Sequence, residues 1–195
     1  MKIIKKIFVK LLTLVVLFTS CTDFVDPVLP YKDFNLAVYL RTISRTSTSF
    51  NSSNLADSKF NITVEAVDPE GGRTVESVEV RVRHRRSVVG GGFIFTPAAG
   101  ANNLVNDVLI KTLTLADFQP NNESRFLRAG IQFTALEALS ALGLSENQIN
   151  VGDNFEVRLK LRDKFGRVFN DINAGASIKN EVFYASPFLY IVPVN

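Results

Sequence analysis

The chain predicts a mainly β protein, an antiparallel β-sandwich of about eight strands with one short helix. Three observations carry that expectation. Apolar residues recur at every second position in run after run, as in "ESVEVRVRHRR", where Val78, Val80 and Val82 alternate with Glu79, Arg81 and Arg83. A period of two puts one side of a strand in a core and the other in water. Turn-forming sequences separate the runs, and a single segment shows helical spacing instead.

The elements follow in order. "NLAVYLRTIS" alternates Leu36, Val38 and Leu40 with Ala37, Tyr39 and Arg41, and "KFNITVEAVD" places Phe60, Ile62, Val64 and Ala66 on one side. "DPEGG" (68–72) joins the second strand to the third, with Pro69 preset for a turn and Gly71 and Gly72 free to take positive φ. "VLIKTLTL" (108–115) and "RFLRAGIQF" (125–133) continue the pattern. "NFEVRLKLRD" buries Phe155, Val157, Leu159 and Leu161 while presenting Glu156, Arg158, Lys160 and Arg162. "DKFG" (163–166) then turns into "GRVFND". "SPFLYIVPV" closes the chain, with Pro187 and Pro193 predicting an edge, because proline cannot donate to a ladder.

"TALEALSALG" is the exception. Leu136, Leu139 and Leu142 fall at helical spacing, Thr134 and Glu137 match the S/T-x-x-E capping box, and Gly143 suits the residue just past the end. A helix from about 135 to 142 is expected, packing Leu136 and Leu139 over an open end of the sandwich.

The N-terminus reads as a targeting segment. Lys2, Lys5, Lys6 and Lys10 precede an apolar run from Leu11 to Phe18, interrupted by Thr13 and too short to span a bilayer. Thr19 and Ser20 then precede Cys21, the only cysteine. The arrangement resembles the lipobox of bacterial lipoproteins, with Phe18 where an aliphatic residue is usual. It implies cleavage before Cys21 and lipidation of its sulfur, and so a membrane partner through Cys21. The expected organisation is a signal peptide over 1–20, a lipidated N-terminus and tether over 21–34, and a β-sandwich domain over 35–195. Pro27 and Pro30 favour an extended tether. Asp23 and Asp26 lean the assignment towards the cell surface.

Cleavage changes the charge argument. The whole chain has 22 Lys and Arg against 19 Asp and Glu. Without the four leader lysines it has 18 against 19, a net of −1, so charge gives no reason to expect nucleic acid.

Candidate binding residues cluster in two places. "RVRHRR" (81–86) reads either as a docking patch for an acidic glycan, a lipopolysaccharide phosphate or a protein, or as a solvated strand face in which neighbouring acids balance Arg81, Arg83 and Arg85. "SVVGGGFIFTPAAGANN" follows, either a long binding loop exposing Phe93, Ile94 and Phe95, or a continued hairpin with Phe93 and Phe95 buried. Stacking of a sugar would fall to Tyr39, Tyr184 or Phe95, since the chain has no Trp.

Other chemistries find little footing. "GGG" lacks the flanking residues of a phosphate loop, and one histidine with a lipidated cysteine does not make a transition-metal cage. Asp68 and Glu70 are explained by their turn, without calcium. No G-x-S-x-G elbow is present, and His84 sits amid arginines that disfavour its protonated form. No cofactor and no catalysis are expected.

The segments "AVYLRTIS", "VDPEGGRTVESVEVRV", "TALEALSALGLSENQINVGDNFEVRLKLRDKFGRVF" and "SPFLYIVPV" together cover most of the mature chain. They resemble small Bacteroidota outer-membrane lipoproteins found beside SusC/SusD-like nutrient uptake systems. That resemblance implies an immunoglobulin-like sandwich and a non-catalytic accessory role in an outer-membrane complex, through protein–protein contacts. It carries over no binding residue. The alternatives are a stand-alone surface glycan-binding lipoprotein and a structural component of secretion or motility machinery.

Overall fold

A computed structural model describes residues 37–180 and 184–195. The leader, Cys21 and the tether expected over 1–34 lie outside the described residues. Among the described residues nine strands form two antiparallel sheets, the sandwich that the alternation predicts. The smaller sheet contains β1 (Tyr39–Ser47), β2 (Lys59–Val67) and β6 (Arg128–Thr134), in the order β1-β2-β6.

The larger sheet is built on two long central strands, β3 (Val75–Ser87) and β7 (Asn154–Asp163). Two short strands divide the far side of β3: β4 (Phe93–Thr96) pairs with its last four residues and β5 (Val108–Thr114) with its middle. The far side of β7 is divided likewise between β8 (Val168–Phe169) and β9 (Leu189–Pro193). Among the named strands β9 pairs only with β7, the edge position that Pro187 and Pro193 predict.

The core lies between the sheets. Phe60, Ile62, Val64 and Ala66 of β2 are all fully buried, as are Val78, Val80, Val82, Phe155, Val157 and Leu161 of the facing sheet. Aromatic rings cross the interface edge to face, Phe60 against Tyr190 at 5.7 Å and Phe50 against Phe155 at 5.2 Å. The Tyr190 hydroxyl lies 2.8 Å from that of Thr42, so the polar end of a buried ring is satisfied by the opposite sheet.

Helix α1 (Ala135–Leu142) occupies the predicted span. Thr134 and Glu137 form the reciprocal capping box, and Gly143 adopts the left-handed conformation at φ 66°. The helix lies against β3, β5 and β6, and so touches both sheets. Its buried residues are Ala135, Ala138 and Leu139, whereas Leu136 is 38% exposed, so the expectation for Leu136 is corrected. A second, five-residue helix, α2 (Ala176–Asn180), was not anticipated from the periodicity.

Strand direction fixes which features share an end. Tyr39 pairs with Val67, and the 68–74 turn feeds directly into Val75, so Ala37 and that turn sit at one end. β3 then runs 13 residues, about 40 Å, to the opposite end, where the 87–93 turn leads into β4.

Candidate functional site

Strand alternation delivers the basic stretch to the outer face of the larger sheet. Since Val78, Val80 and Val82 point into the core, Glu79, Arg81, Arg83 and Arg85 point away from it. Register then places Arg81 beside Arg158, Arg83 beside Glu156 and Glu79 beside Lys160 on the neighbouring strand. This outer face was expected to be solvated, and its centre is not: Arg83, Glu156 and Arg158 are each more than 90% buried.

Glu156 holds the centre together. Its Oε2 accepts from Arg83 Nε at 2.5 Å and from Arg158 Nη2 at 2.7 Å, and its Oε1 accepts from Arg85 Nη1 at 3.1 Å. Burial pushes the Glu156 carboxyl up, but the Arg83 and Arg158 guanidiniums outweigh it and hold the group below its ordinary value. Arg81 donates to Asp107 Oδ1 at 2.5 Å and to Glu79 Oε2 at 2.8 Å. Arg158 also donates to Asp171 Oδ2 at 3.2 Å, and Lys160 lies 3.2 Å from Glu79. Arg81, Arg83, Arg85, Arg158 and Lys160 therefore meet Glu79, Glu156, Asp107 and Asp171. The guanidiniums form a matched ladder instead of a free anion patch.

Two phenyl rings complete this face. Strand β4 continues the hairpin, placing Phe95 beside Arg85 and Phe93 beside Ser87. Arg83 Cζ lies 3.9 Å from the Phe95 ring centroid and Arg85 Cζ 4.6 Å from that of Phe93, so each ring lies over a guanidinium. Phe95 is half-buried and Phe93 is 51% exposed. The hairpin alternative is thus the one observed, but neither ring enters the core.

Beyond Phe93 the hairpin ends in an apolar tip. Gly90, Gly91 and Gly92 have φ of 94°, 104° and 89°, a run of conformations that other residues rarely adopt. They reverse the chain with Gly91 N–H donating to Val88 O and Val88 N–H to Gly92 O. Val89 is fully exposed, and Val88 and Ile94 are 40% and 58% exposed. No charged residue occurs between Arg86 and Asp107.

The two tyrosines lie elsewhere. Tyr39 projects from the outer side of β1 and meets Tyr184 edge to face, with centroids 5.4 Å apart. Tyr39 lines a groove of about 330 Å³ with Ala37, Val67, Pro69, Arg125 and Phe126. Beside it, Glu65 is buried among Arg41, Arg128 and Ser124, a second carboxylate held by cross-strand arginines. The predicted binding residues thus separate into two groups. Arg81, Arg83, Arg85, Phe93 and Phe95 come together, and Tyr39 and Tyr184 pair apart from them.

Glu156, Arg158, Asp107 and Asp171 were not singled out from the sequence. Glu156 and Arg158 were visible only as the polar half of an alternating strand, and the two aspartates as loop residues. His84 also differs from expectation. Its side chain points inward against Phe155, away from Arg83 and Arg85, and its Nε2 lies 2.9 Å from Asp153 Oδ2 without hydrogen-bond alignment. Burial raises the Asp153 carboxyl, but Arg86, the Asn150 amide and His84 together lower it to about 2.

Asp68 is spent on its turn, accepting from the Gly72 and Thr74 amides and the Thr74 hydroxyl, and Glu70 pairs with Lys164. Among the described residues no group of three or more His, Cys, Asp or Glu side chains is placed to hold a metal. No family model, curated protein or solved structure matches the chain.

Proposed function

We propose that the protein is a non-catalytic, lipid-anchored accessory subunit of an outer-membrane complex at the cell surface, with a SusC/SusD-like uptake system as the partner. The lipobox-like sequence at Cys21 supports the anchor, and the resemblance of the mature chain supports the choice of complex. The observation that carries the docking role is the hairpin tip. It exposes Val88, Val89 and Ile94 in a stretch with no charged residue between Arg86 and Asp107, at the end of the sheet opposite Ala37. Apolar side chains on a narrow projection match insertion into a pocket on a partner surface.

The test is co-purification from gently solubilised outer membranes. The wild-type chain should recover a barrel transporter in stoichiometric amount. A Val89→Asp variant should stay anchored and lose the transporter, while Cys21→Ala should lose membrane retention. A clean, partnerless lipoprotein from wild-type membranes would contradict the accessory role.

A further inference from the structure

Turns from both sheets meet at the end of the sandwich opposite the hairpin tip. The 164–167 turn joins β7 to β8, the 68–74 turn joins β2 to β3, and the 121–127 loop leads into β6. Lys164 N–H donates to Thr74 O and Leu127 N–H to Gly71 O, so these segments form one continuous surface. Phe165 stands out from it and is 62% exposed. Cations flank the ring, with Lys164 Nζ 5.3 Å and Arg167 Cζ 5.2 Å from its centroid. Pro69 is exposed on the next turn, and half-buried Phe126 lines the groove beside it.

The charges at this end are unequally spent. Glu70 pairs with Lys164, Asp163 with Arg167 and Glu123 with Arg128, while buried Asp68 accepts from its own turn. Arg73 and Arg125 are exposed and meet no carboxylate among the described residues. Arg73 donates to Glu70 O, and Arg125 lies over the Phe126 ring. They stand side by side, since a Cβ added at Gly71 would lie 3.0 Å from Arg73 Nη1 and 3.1 Å from Arg125 O. Farther along the strands, Arg162 and Glu76 are both exposed and offset each other in sign. The surplus is therefore the Arg73 and Arg125 pair beside an exposed ring. At a lipid interface a ring enters the boundary between headgroups and acyl chains, while long basic side chains reach the phosphates. A ring flanked by cations suits such a surface, whereas the uncharged hairpin tip suits an apolar pocket.

We propose that this end of the sandwich is a docking surface for an anionic lipid membrane, with Phe165 entering the headgroup boundary and Arg73 and Arg125 meeting lipid phosphates. The inference rests on the lipid-anchored reading, which brings the domain to a membrane, and adds to it the face that the domain lays down.

The chain has no Trp, so Phe165→Trp introduces a single indole as a probe. The protein carrying it, purified from membranes, is reconstituted into vesicles of phosphatidylethanolamine and phosphatidylglycerol. Flotation reports attachment, and quenching by bromine-labelled acyl chains reports the depth of the ring. Emission should shift to the blue and be quenched, while Val151→Trp, substituted at the opposite end, should show neither. Adding Arg73→Ala and Arg125→Ala should lower the ratio of quenched to unquenched indole by about tenfold or more, and vesicles of phosphatidylcholine alone should do the same. Both arginines are exposed, so thermal unfolding should not change. Flotation with solvent-like, unquenched emission would overturn the docking surface and leave the anchor standing. Failure to float would contradict both together. A blue shift without quenching would place the ring against protein, and quenching indifferent to the arginines and to lipid charge would remove the phosphate contacts; either result overturns the proposal.

Discussion

Glu65 and Glu156 occupy corresponding places on the outer sides of the two sheets, each buried and each held by arginines from neighbouring strands. Burying a carboxylate is costly, and the surrounding guanidiniums, with the Ser124 hydroxyl at Glu65, offset it. Removing the acid would strand buried cations. Glu156→Ala should therefore cost about 3–5 kcal/mol in urea unfolding. Asp153 gives a pH signature. Its carboxyl lies at about 2 in the folded chain and near the ordinary value of about 3.9 when unfolded. Its contribution is fully present above pH ~4 and disappears as pH falls towards 2, a loss of about 2 kcal/mol. Asp153→Asn should lower stability at neutral pH and flatten that acid limb in unfolding measured from pH 7 to 2. Gly72 is constrained by space as well as conformation, since an added Cβ would lie 2.8 Å from Ala66 O at a φ of +93°. Gly72→Ala should destabilise by more than about 1 kcal/mol in the same assay.

At the scale of elements, α1 is the clearest case of local control. Capping oxygens from Thr134 and Glu137 satisfy amides at its start, and Gly143 ends it. Thr134→Ala should cost about 1 kcal/mol in thermal or chemical unfolding. These signals lie within ten residues of one another, which is why the helix could be read from the sequence. The long strands were legible for a similar reason, since alternation in "NFEVRLKLRD" needs no distant partner to be seen. Strand β4 was less legible because three glycines precede it and four residues carry little periodicity. The candidate site was hardest to read. Arg81, Arg83 and Arg85 drew attention as a basic run, but their character is set by Glu156 and Asp107, 73 and 26 residues away from Arg83 and Arg81 respectively. Pairing across strands turned an expected solvated face into a buried ladder. Leu136 fails for the opposite reason: its spacing is right, but α1 turns Ala135, Ala138 and Leu139 inward and leaves the side with Leu136 in water.

At the scale of the whole molecule, the hairpin tip and Ala37 sit at opposite ends of the strands, and the tip is apolar and exposed. The exposed valines at the turn contribute little to the core. Val89→Asp should consequently change unfolding by less than about 0.5 kcal/mol while abolishing partner recovery. The most direct measurement is photo-crosslinking in intact cells with a photoreactive residue in place of Val89. A single outer-membrane protein captured in high yield, absent when the reactive residue replaces exposed Val151 instead, is the result the account predicts. Crosslinks to lipid alone, or equal capture from both positions, would contradict it.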